Sequence, residues 1–477
     1  MLLAGPAAAE QASAGLELDD CRISVGAGMP GIAARCGTLV RPLDPDDVSK
    51  GNIDLKVAAV PALSLEPASD PFVPIAGGPG QSSIYFYASW SAAFERIRLD
   101  RDIVLLDQRG TGDSAPMVCD VDDDLVEGKY SAEQTLRLTR QCLELLPHDP
   151  RYFTTGVAVR DLEALRQALG YDQLNLYGIS YGTRVAQHFA RRYPGSTRSI
   201  ILDGVVPPQV PLGPDIATES QRAIDSVFAR CAATPSCDER FPEISDDFAL
   251  LLGVLAEQPV TVDLQHPVTA KREIVEFSGD HFVAAIRLLL YNPRTVALLP
   301  LLISDAANGD FAPLAAQFYM VVESLSESLN IGMHNAVMCT EDAPFIDWDG
   351  VDQNAINASY MGPVQLEAIH TMCSVWPRGV LDDNLREPLA TDKPVLLLSG
   401  GADPITPPYF AELAAVDMQN SWQVVGENQG HGLAAVGCMP RVIGEFVATA
   451  TLADGAADCM QDAFVMPFFV DYTGPTP

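Results

Sequence analysis

Short apolar runs alternate along most of the chain with segments in which apolar residues recur at the spacing of a helix. This alternation predicts an α/β fold whose mostly parallel central sheet is flanked by helices. A helix is predicted at 157–169, and Gly170 stands where its C-cap belongs. The candidate strands are residues 53–63, 72–76, 103–107, 174–178, 199–203, 394–399 and 422–425.

The pattern changes between Pro208 and Cys373. This segment is rich in Leu and Ala at helical spacing and contains few convincing strands. We expect a helical cap over residues 208–373, inserted into one sheet domain that is formed by residues 21–207 and 374–477. The proline-rich stretch at 205–214 marks the crossing into the cap.

Ten cysteines in the sequence indicate disulfides and an oxidising compartment. None forms a C-x-x-C pair and no histidine cluster accompanies them, so we expect neither a metal nor a redox role. Along the chain they fall into five successive, mostly local pairs, although the sequence alone leaves the connectivity open. The candidates are Cys21, Cys36, Cys119, Cys142, Cys231, Cys237, Cys339, Cys373, Cys438 and Cys459.

Residues 1–20 have part of the pattern of an export signal. Their apolar stretch ends in Ala7, Ala8 and Ala9, which resembles a cleavage region, but a basic leader is missing. We interpret the segment as the remnant of an export signal, and a disordered Ala-rich end is the alternative. Together with the cysteines, the segment predicts a secreted or periplasmic protein.

The net charge narrows the range of partners. The chain has 63 acidic and 30 basic residues, a formal charge of −33. Such a surface repels phosphate backbones, so we expect no nucleic-acid binding. No uncharged apolar run reaches the length needed to cross a bilayer, so we expect no membrane insertion.

Ser180 is the candidate nucleophile. It lies in a Gly-x-Ser-x-Gly pattern, residues 178–182, directly after a predicted strand and ahead of a predicted helix. The pattern alone is weak, but this strand–turn–helix context is the one that exposes a serine on a sharp turn. A Cβ at Gly178 or Gly182 would clash with neighbouring elements, and the amides at the helix N-terminus can stabilise negative charge.

His431 is the candidate base, because it follows the last predicted strand and is flanked by glycines. The other six histidines lie in a helix, a loop or the cap, where packing or surface roles are the default. Asp403 is the candidate partner of His431, since it follows the strand at 394–399 across a glycine turn. Asp203, which also ends a strand, is the alternative. Thr406 and the proline after it resemble a helix N-cap and first helical residue.

A glycine-rich turn at 77–80 supplies the candidate oxyanion hole. Pro79 has no N–H, so the amide of Gly78 is the expected donor there. Its partner is the amide of Tyr181, the residue after the nucleophile. The order Ser180, Asp403, His431 is the one expected of an α/β-hydrolase fold.

The chain resembles the prolyl iminopeptidase and tripeptidyl aminopeptidase family of α/β-hydrolases. The resemblance rests on GGPGQS at 77–82, DQRGTGDS at 107–114, GISYGTR at 178–184, GGADPITP at 400–407 and GHG at 430–432. It implies a triad of Ser180, Asp403 and His431 under a helical cap. It also implies a structural role for the DQRG motif, which we interpret as a buried ion pair between Asp107 and Arg109.

One departure separates the chain from the prolyl iminopeptidases. These enzymes usually have histidine before their Gly-Gly-Pro-Gly motif, where this chain has Ala76, so the resemblance shifts towards the secreted tripeptidyl aminopeptidase-like branch. An aminopeptidase must bind a free ammonium group, and the resemblance favours Glu341 as the anchor, with Asp342 beside it. A disulfide between Cys339 and Cys373 would hold this segment rigid.

The sequence therefore predicts a cofactor-free serine exopeptidase. Its substrates would be peptides with a free N-terminus, from which it removes single residues or short peptides. Two alternatives stay open: a small-molecule esterase or amidase with the same triad, and a non-catalytic binding protein on a hydrolase scaffold.

Overall fold

The computed structural model describes residues 16–26, 31–120 and 131–475. Most of the N-terminal segment that was interpreted as an export signal, residues 1–15, lies outside this part of the chain. The strands are β1 Asp19–Ile23, β2 Ile32–Pro42, β3 Asn52–Val60, β4 Phe72–Ile75, β5 Ile103–Leu106, β6 Leu174–Ile179, β7 Thr197–Asp203, β8 Val260–Gln265, β9 Arg272–Phe277, β10 Thr391–Gly400 and β11 Met418–Gly426.

Nine of these strands form one sheet in the order β1-β2-β3-β5-β4-β6-β7-β10-β11. The pairs from β5 to β11 are parallel, and those from β1 to β5 are antiparallel. The predicted α/β fold with a mostly parallel sheet is confirmed, and every predicted strand is present. The strands β1 and β2 were missed because β2 is half exposed and mixes charged with apolar residues, so it forms no apolar run.

Helices cover both faces of the sheet and form most of the segment between β7 and β10. The predicted helix at 157–169 is observed at Thr155–Leu169, and Gly170 ends it with a left-handed φ of 77°. No described helix is long and apolar enough to cross a membrane. The helices are α1 Ser83–Trp90, α2 Glu95–Arg98, α3 Ala132–Leu145, α4 Thr155–Leu169, α5 Tyr181–Arg192, α6 Ile216–Ala232, α7 Pro235–Arg240, α8 Ile244–Glu257, α9 Gly279–Leu289, α10 Pro293–Val296, α11 Leu299–Ala307, α12 Ala312–Ser328, α13 Ile331–Val337, α14 Gln353–Ala358, α15 Val364–Cys373, α16 Pro408–Ala415 and α17 Met439–Thr449.

Helices α6 to α15 lie in the segment that was expected to form a cap, and most of them share a separate apolar core, whereas α13 packs into a core of the sheet. Two further cores fill the two faces of the sheet. The segment also contains an antiparallel hairpin, β8–β9, which the sequence analysis did not predict. The hairpin was overlooked because β8 and β9 are short and bury only alternate residues.

All ten cysteines pair in sequence order, which confirms the predicted successive pairing. One bond joins β1 to β2 and another joins α6 to α7. A third bond joins a π-helical turn at Met338–Asp342 to the end of α15. A protein with five disulfides belongs to an oxidising compartment outside the cytoplasm. The pairs are Cys21–Cys36, Cys119–Cys142, Cys231–Cys237, Cys339–Cys373 and Cys438–Cys459.

Candidate active site

Ser180 occupies a strained turn between β6 and α5, with φ 55° and ψ −128°. A non-glycine residue in this backbone region costs energy and persists only where the surroundings impose it. The flanking glycines explain how the turn fits. A Cβ on Gly178 would lie 2.2 Å from the carbonyl oxygen of Gly182, and one on Gly182 would lie 2.3 Å from that of Ile75. Close packing therefore requires both glycines and fixes the direction in which the partly exposed Ser180 points.

The carboxyl ends of four neighbouring strands, β6, β7, β10 and β11, precede the predicted site residues. Ser180 follows β6, Asp403 follows β10, and His431 follows β11. The Ser180 amide donates to the carbonyl oxygen of Asp203, the last residue of β7, at 2.9 Å. Gly204 comes next and lies against the imidazole, because a Cβ there would stand 2.9 Å from His431 Cε1. The end of β7 thus brings Ser180 and His431 to one point of the sheet edge.

Asp403 and His431 form a direct pair. Oδ2 of Asp403 lies 2.8 Å from Nδ1 of His431, and the carboxylate is fully buried. It also accepts hydrogen bonds from the amides of Ile405 and Thr406, at 2.9 and 3.0 Å, and from the Thr406 hydroxyl at 2.7 Å. This geometry fixes the imidazole with Nδ1–H towards the carboxylate and leaves Nε2 to accept a proton.

Thr406 has a different role from the one that the sequence suggested. Helix α16 begins at Pro408 with Pro407 as its N-cap, so Thr406 does not cap it. Its hydroxyl instead bonds Asp403 and stands 3.1 Å from His431 Nδ1. The spacing Asp-x-x-Thr, typical of a local side-chain turn, was the signal that could have indicated this contact.

Asp203, the alternative partner of the base, contacts the chain just beyond His431 instead. Its carboxylate accepts from the amides of Leu433, at 2.8 Å, and Ala434, at 2.9 Å, and from the Tyr177 hydroxyl at 2.8 Å. It thereby anchors residues 427–434, which we name the histidine loop.

The Asp403–His431 contact shifts the pKa values of both groups. Burial lowers the pKa of the His431 imidazole, but the charge of Asp403 and its hydrogen bond outweigh burial, and the pKa lies above the usual 6.5. Burial raises the pKa of Asp403, and the charge and hydrogen bond of His431 with those of Thr406 bring it below the usual 3.8. His431 is thus a strengthened base beside an ionised carboxylate.

The predicted oxyanion residues flank the serine. Residues 77–82, which we name the oxyanion loop, follow β4, and a Cβ on Gly77 would lie 2.8 Å from Ser180 Cβ. Gly78 adopts a φ of 105°, which glycine adopts far more readily than other residues. Tyr181 is the first residue of α5. The amides of Gly78 and Tyr181 therefore each lie one residue along the chain from a position in close contact with Ser180 or from Ser180 itself.

Residues of the expected cap contact both active-site loops. The Asn330 amide donates to the carbonyl of Gly80 at 3.0 Å, and His334 Nδ1 lies 3.1 Å from the carbonyl oxygen of Pro79. On the other side, the carbonyl of Tyr291 accepts from the His431 amide at 2.9 Å, and the two rings pack edge to face.

Glu341 and Asp342, the predicted amine anchors, are fully buried and already engaged. Glu341 accepts from the amide and hydroxyl of Thr155 at 2.7 and 2.8 Å. Asp342 accepts from both terminal nitrogens of Arg184 at 2.9 and 2.8 Å, and from the Leu212 amide at 2.8 Å. A substrate ammonium would have to displace these donors. In this arrangement the two carboxylates tie the π-helical turn to α4 and α5.

The expected ion pair between Asp107 and Arg109 is wrong. Arg109 instead forms a fully buried bidentate pair with Asp161 at 2.6 and 2.9 Å. Asp107 accepts from the Ser82 hydroxyl at 2.7 Å and the Ile84 amide at 3.0 Å, so it holds the start of α1 next to the oxyanion loop. The sequence offered no signal for Asp161, which is 52 residues away from Arg109.

Curated relatives resemble the chain over different lengths. Serine protease Hip1 of Mycobacterium tuberculosis is 27% identical over 427 residues, which are 82% of this chain and 79% of the relative. The tripeptidyl aminopeptidase of Streptomyces coelicolor is 31% identical over 285 residues, 53% of this chain and 51% of the relative. A probable proline iminopeptidase of the same organism is 31% identical over 140 residues, 29% of this chain and 34% of the relative.

The sheet topology and the turn at Ser180 define the chain as an α/β-hydrolase. A family model described as alpha/beta hydrolase fold matches residues 70–230, and another described as TAP-like protein matches residues 358–459. Together the two matches cover more than half of the chain. The chain belongs to the α/β-hydrolase serine peptidase family that includes the tripeptidyl aminopeptidases and prolyl iminopeptidases.

Proposed function

We propose that the chain is a secreted or periplasmic serine peptidase that removes residues or short peptides from the N-terminus of its substrates. The observation that carries the proposal is the 2.8 Å bond between buried Asp403 and His431 at the sheet edge where Ser180 sits on its strained turn. Exopeptidase action is supported by the relatives named as tripeptidyl aminopeptidase and proline iminopeptidase.

The proposed reaction proceeds through an acyl-enzyme. Ser180 Oγ attacks the scissile carbonyl carbon while His431 Nε2 takes its proton, and Asp403 stabilises the imidazolium. The negative oxygen of the tetrahedral intermediate accepts hydrogen bonds from the amides of Gly78 and Tyr181. When the C–N bond breaks, His431 gives its proton to the leaving amine. Water, deprotonated by His431, then attacks the ester and frees Ser180.

Covalent labelling tests the nucleophile. We expect a fluorophosphonate probe to label the wild-type protein, and Ser180→Ala to abolish labelling. Ser199→Ala is the matched control, because Ser199 is a buried serine of β7 that bonds Asn175 at 2.7 Å, and labelling should persist in it. Labelling that survives in Ser180→Ala would contradict Ser180 as the nucleophile, and no labelling of the wild type would favour the non-catalytic alternative.

A reporter panel tests the exopeptidase assignment. We expect chromogenic amides of single amino acids or tripeptides to be cleaved when their amine is free and to resist cleavage when it is acetylated. A simple ester of the same leaving group serves as the control for intact chemistry. Equal cleavage of free and blocked amides, or cleavage of the ester alone, would favour the esterase or amidase alternative.

A further inference from the structure

We propose that Asp203 is a positioning residue of this active site, which holds the nucleophile turn and the histidine loop together and strengthens His431 as a base. The proposal rests on the proposed function and deepens it. Asp203 touches none of the reacting atoms, so it would act through Ser180 and His431. It differs from the Asp403 role because its carboxylate binds the backbone of the histidine loop and makes no bond to the imidazole.

Asp203 contacts both halves of the site through different atoms. Its backbone carbonyl accepts from the Ser180 amide at 2.9 Å, at the nucleophile turn. Its carboxylate accepts from the Leu433 amide, at 2.8 Å to Oδ1 and 3.0 Å to Oδ2, and from the Ala434 amide at 2.9 Å. Those amides lie within three residues of His431 in the chain. A single rigid strand end therefore sets the separation between the serine and the histidine.

The hydrogen-bond donors around the carboxylate favour its ionised form. Two of its three partners are backbone amides, which can only donate, and the Tyr177 hydroxyl donates at 2.8 Å. Burial has the largest effect and raises the pKa of the Asp203 carboxyl above the usual 3.8, and the hydrogen bonds from Leu433, Tyr177 and Ala434 offset part of that effect. A neutral carboxylic acid could donate only to the Tyr177 hydroxyl, because the two amides cannot accept, and that hydroxyl would then lose Asp203 as its acceptor.

An ionised Asp203 adds to the field at His431. The Asp403 carboxylate and the Thr406 hydroxyl contact the imidazole, the ring of Tyr291 packs against it, and the charge of Asp203 acts on it from further away. Both carboxylates favour the imidazolium that forms when Ser180 loses its proton. Asp403 acts by direct contact, while Asp203 acts through a water-poor interior, where charge is weakly screened.

Asp203→Asn tests the proposal, because it keeps the shape and removes the charge and one acceptor. We expect the maximal rate of fluorophosphonate labelling to fall by about tenfold or more, since misplacing catalytic groups is costly. We also expect the pH at which labelling is half-maximal to fall by about one unit, because the imidazolium loses a stabilising charge. Asp161→Asn is the control: Asp161 is a buried carboxylate that pairs with Arg109, so the variant should lose stability but, under conditions in which it is folded, leave that pH unchanged.

Two NMR measurements test the proposal without an activity assay. The second uses the wild type, so it does not depend on the folding of any variant. In a Ser180→Ala background, the His431 imidazole should titrate at lower pH when Asp203→Asn is added. In the wild type, the Asp203 carboxyl carbon should report the ionised form at pH 7. An unchanged His431 titration, or a protonated Asp203 at pH 7, would overturn the proposal. A wild type that the probe fails to label would instead reject the proposed function.

Discussion

Asp403 is fully buried and its pKa is nevertheless lowered, because His431 and Thr406 both donate hydrogen bonds to it. At the scale of single residues, the geometry of the candidate active site depends on such hydrogen-bond donors and on the space that glycines leave open. Ser180, Gly204 and His431 meet where no extra methyl group fits. Small changes in charge or volume here should therefore affect activity more than stability.

The activity should rise with pH through the titration of His431. Only the neutral imidazole can accept the Ser180 proton, and the pKa of His431 lies above 6.5 because Asp403 outweighs burial. We expect kcat/KM to be low in acid and to reach its plateau only above that pKa. A pH profile of reporter hydrolysis measures this, and a rate that stays level from acid to neutral pH would contradict His431 as the base.

Gly204→Ala should disable the site without unfolding the protein. The new Cβ would stand 2.9 Å from His431 Cε1 and 3.0 Å from Thr406 Oγ1, so the imidazole must move. We expect kcat/KM to fall by about 100-fold or more. Gly170→Ala is the matched control, since Gly170 has a similar positive φ but nothing within 4 Å. It should lose only about 1 kcal/mol of stability and keep its activity, and equal activity losses in both variants would contradict this account.

At the scale of secondary-structure elements, the junction of α12 and α13 holds the oxyanion loop in place. Gln81 and Leu329 form a β-bridge, and the amide of Asn330 donates to Gly80. His334, on α13, contacts Pro79. Because a carbonyl oxygen can only accept, His334 Nδ1 must carry the proton of this hydrogen bond. The expected cap is thus hydrogen-bonded to the loop that carries the Gly78 amide.

His334→Ala should therefore weaken catalysis more than substrate binding. Losing the bond to Pro79 lets the Gly78 amide drift, and a misplaced oxyanion donor is expected to cost about tenfold in kcat, less than removing the donor outright. His370→Ala is the control, because His370 is an exposed histidine of α15 that packs on Trp348. Steady-state kinetics on one reporter compare the two, and a rise in KM alone in His334→Ala would argue for a substrate contact instead.

Glu341→Gln should lower activity on free-amine peptides and on a simple ester by the same factor. Burial raises the pKa of Glu341 to about 7, so a neutral group at this position is tolerated. Asp342→Asn should destabilise the protein more than Glu341→Gln, since unpairing buried Arg184 costs roughly 3–5 kcal/mol of stability. Thermal unfolding and kinetics on both substrates measure this. A KM increase confined to free-amine peptides in Glu341→Gln would restore its predicted role as amine anchor.

At the scale of the whole molecule, covalent links are distributed over the sheet, the expected cap and the C-terminal segment. Cys21–Cys36 joins the edge strand β1 to β2, Cys231–Cys237 joins α6 to α7, and Cys438–Cys459 fixes the start of α17. These links stabilise a chain whose net charge of −33 produces strong self-repulsion. The fold is thus suited to an environment where disulfides persist.

Removing Cys339–Cys373 should destabilise the protein more than removing Cys231–Cys237. The first bond spans 34 residues and the second 6. Loop entropy then predicts losses of about 4 and about 2 kcal/mol, respectively. Denaturant unfolding of paired Cys→Ser variants measures both. Thiol titration of the wild type should find no free thiol before denaturation and reduction, and the opposite order of stabilities would contradict the loop-entropy account.

The sequence by itself determined the strands that carry the site, the turn at Ser180 and the candidacy of Asp403 and His431, and it left the connectivity of the cysteines open. Local sequence patterns predict these features: an apolar run, two glycines around a serine, or a histidine in a glycine-rich loop after a strand. The half-exposed strand β2 and the β8–β9 hairpin were not predicted, because half-exposed strands have weak hydrophobic patterns.

Only the tertiary structure decided which partner each buried charged group has. Arg109 bonds Asp161 rather than Asp107, Asp203 holds the histidine loop, and Glu341 bonds Thr155, 186 residues away in the chain. The physical reason is that a buried carboxylate takes whichever donor lies across the packed interface. The residues next to such a carboxylate in sequence do not determine that donor, so no local sequence pattern predicts the pairing.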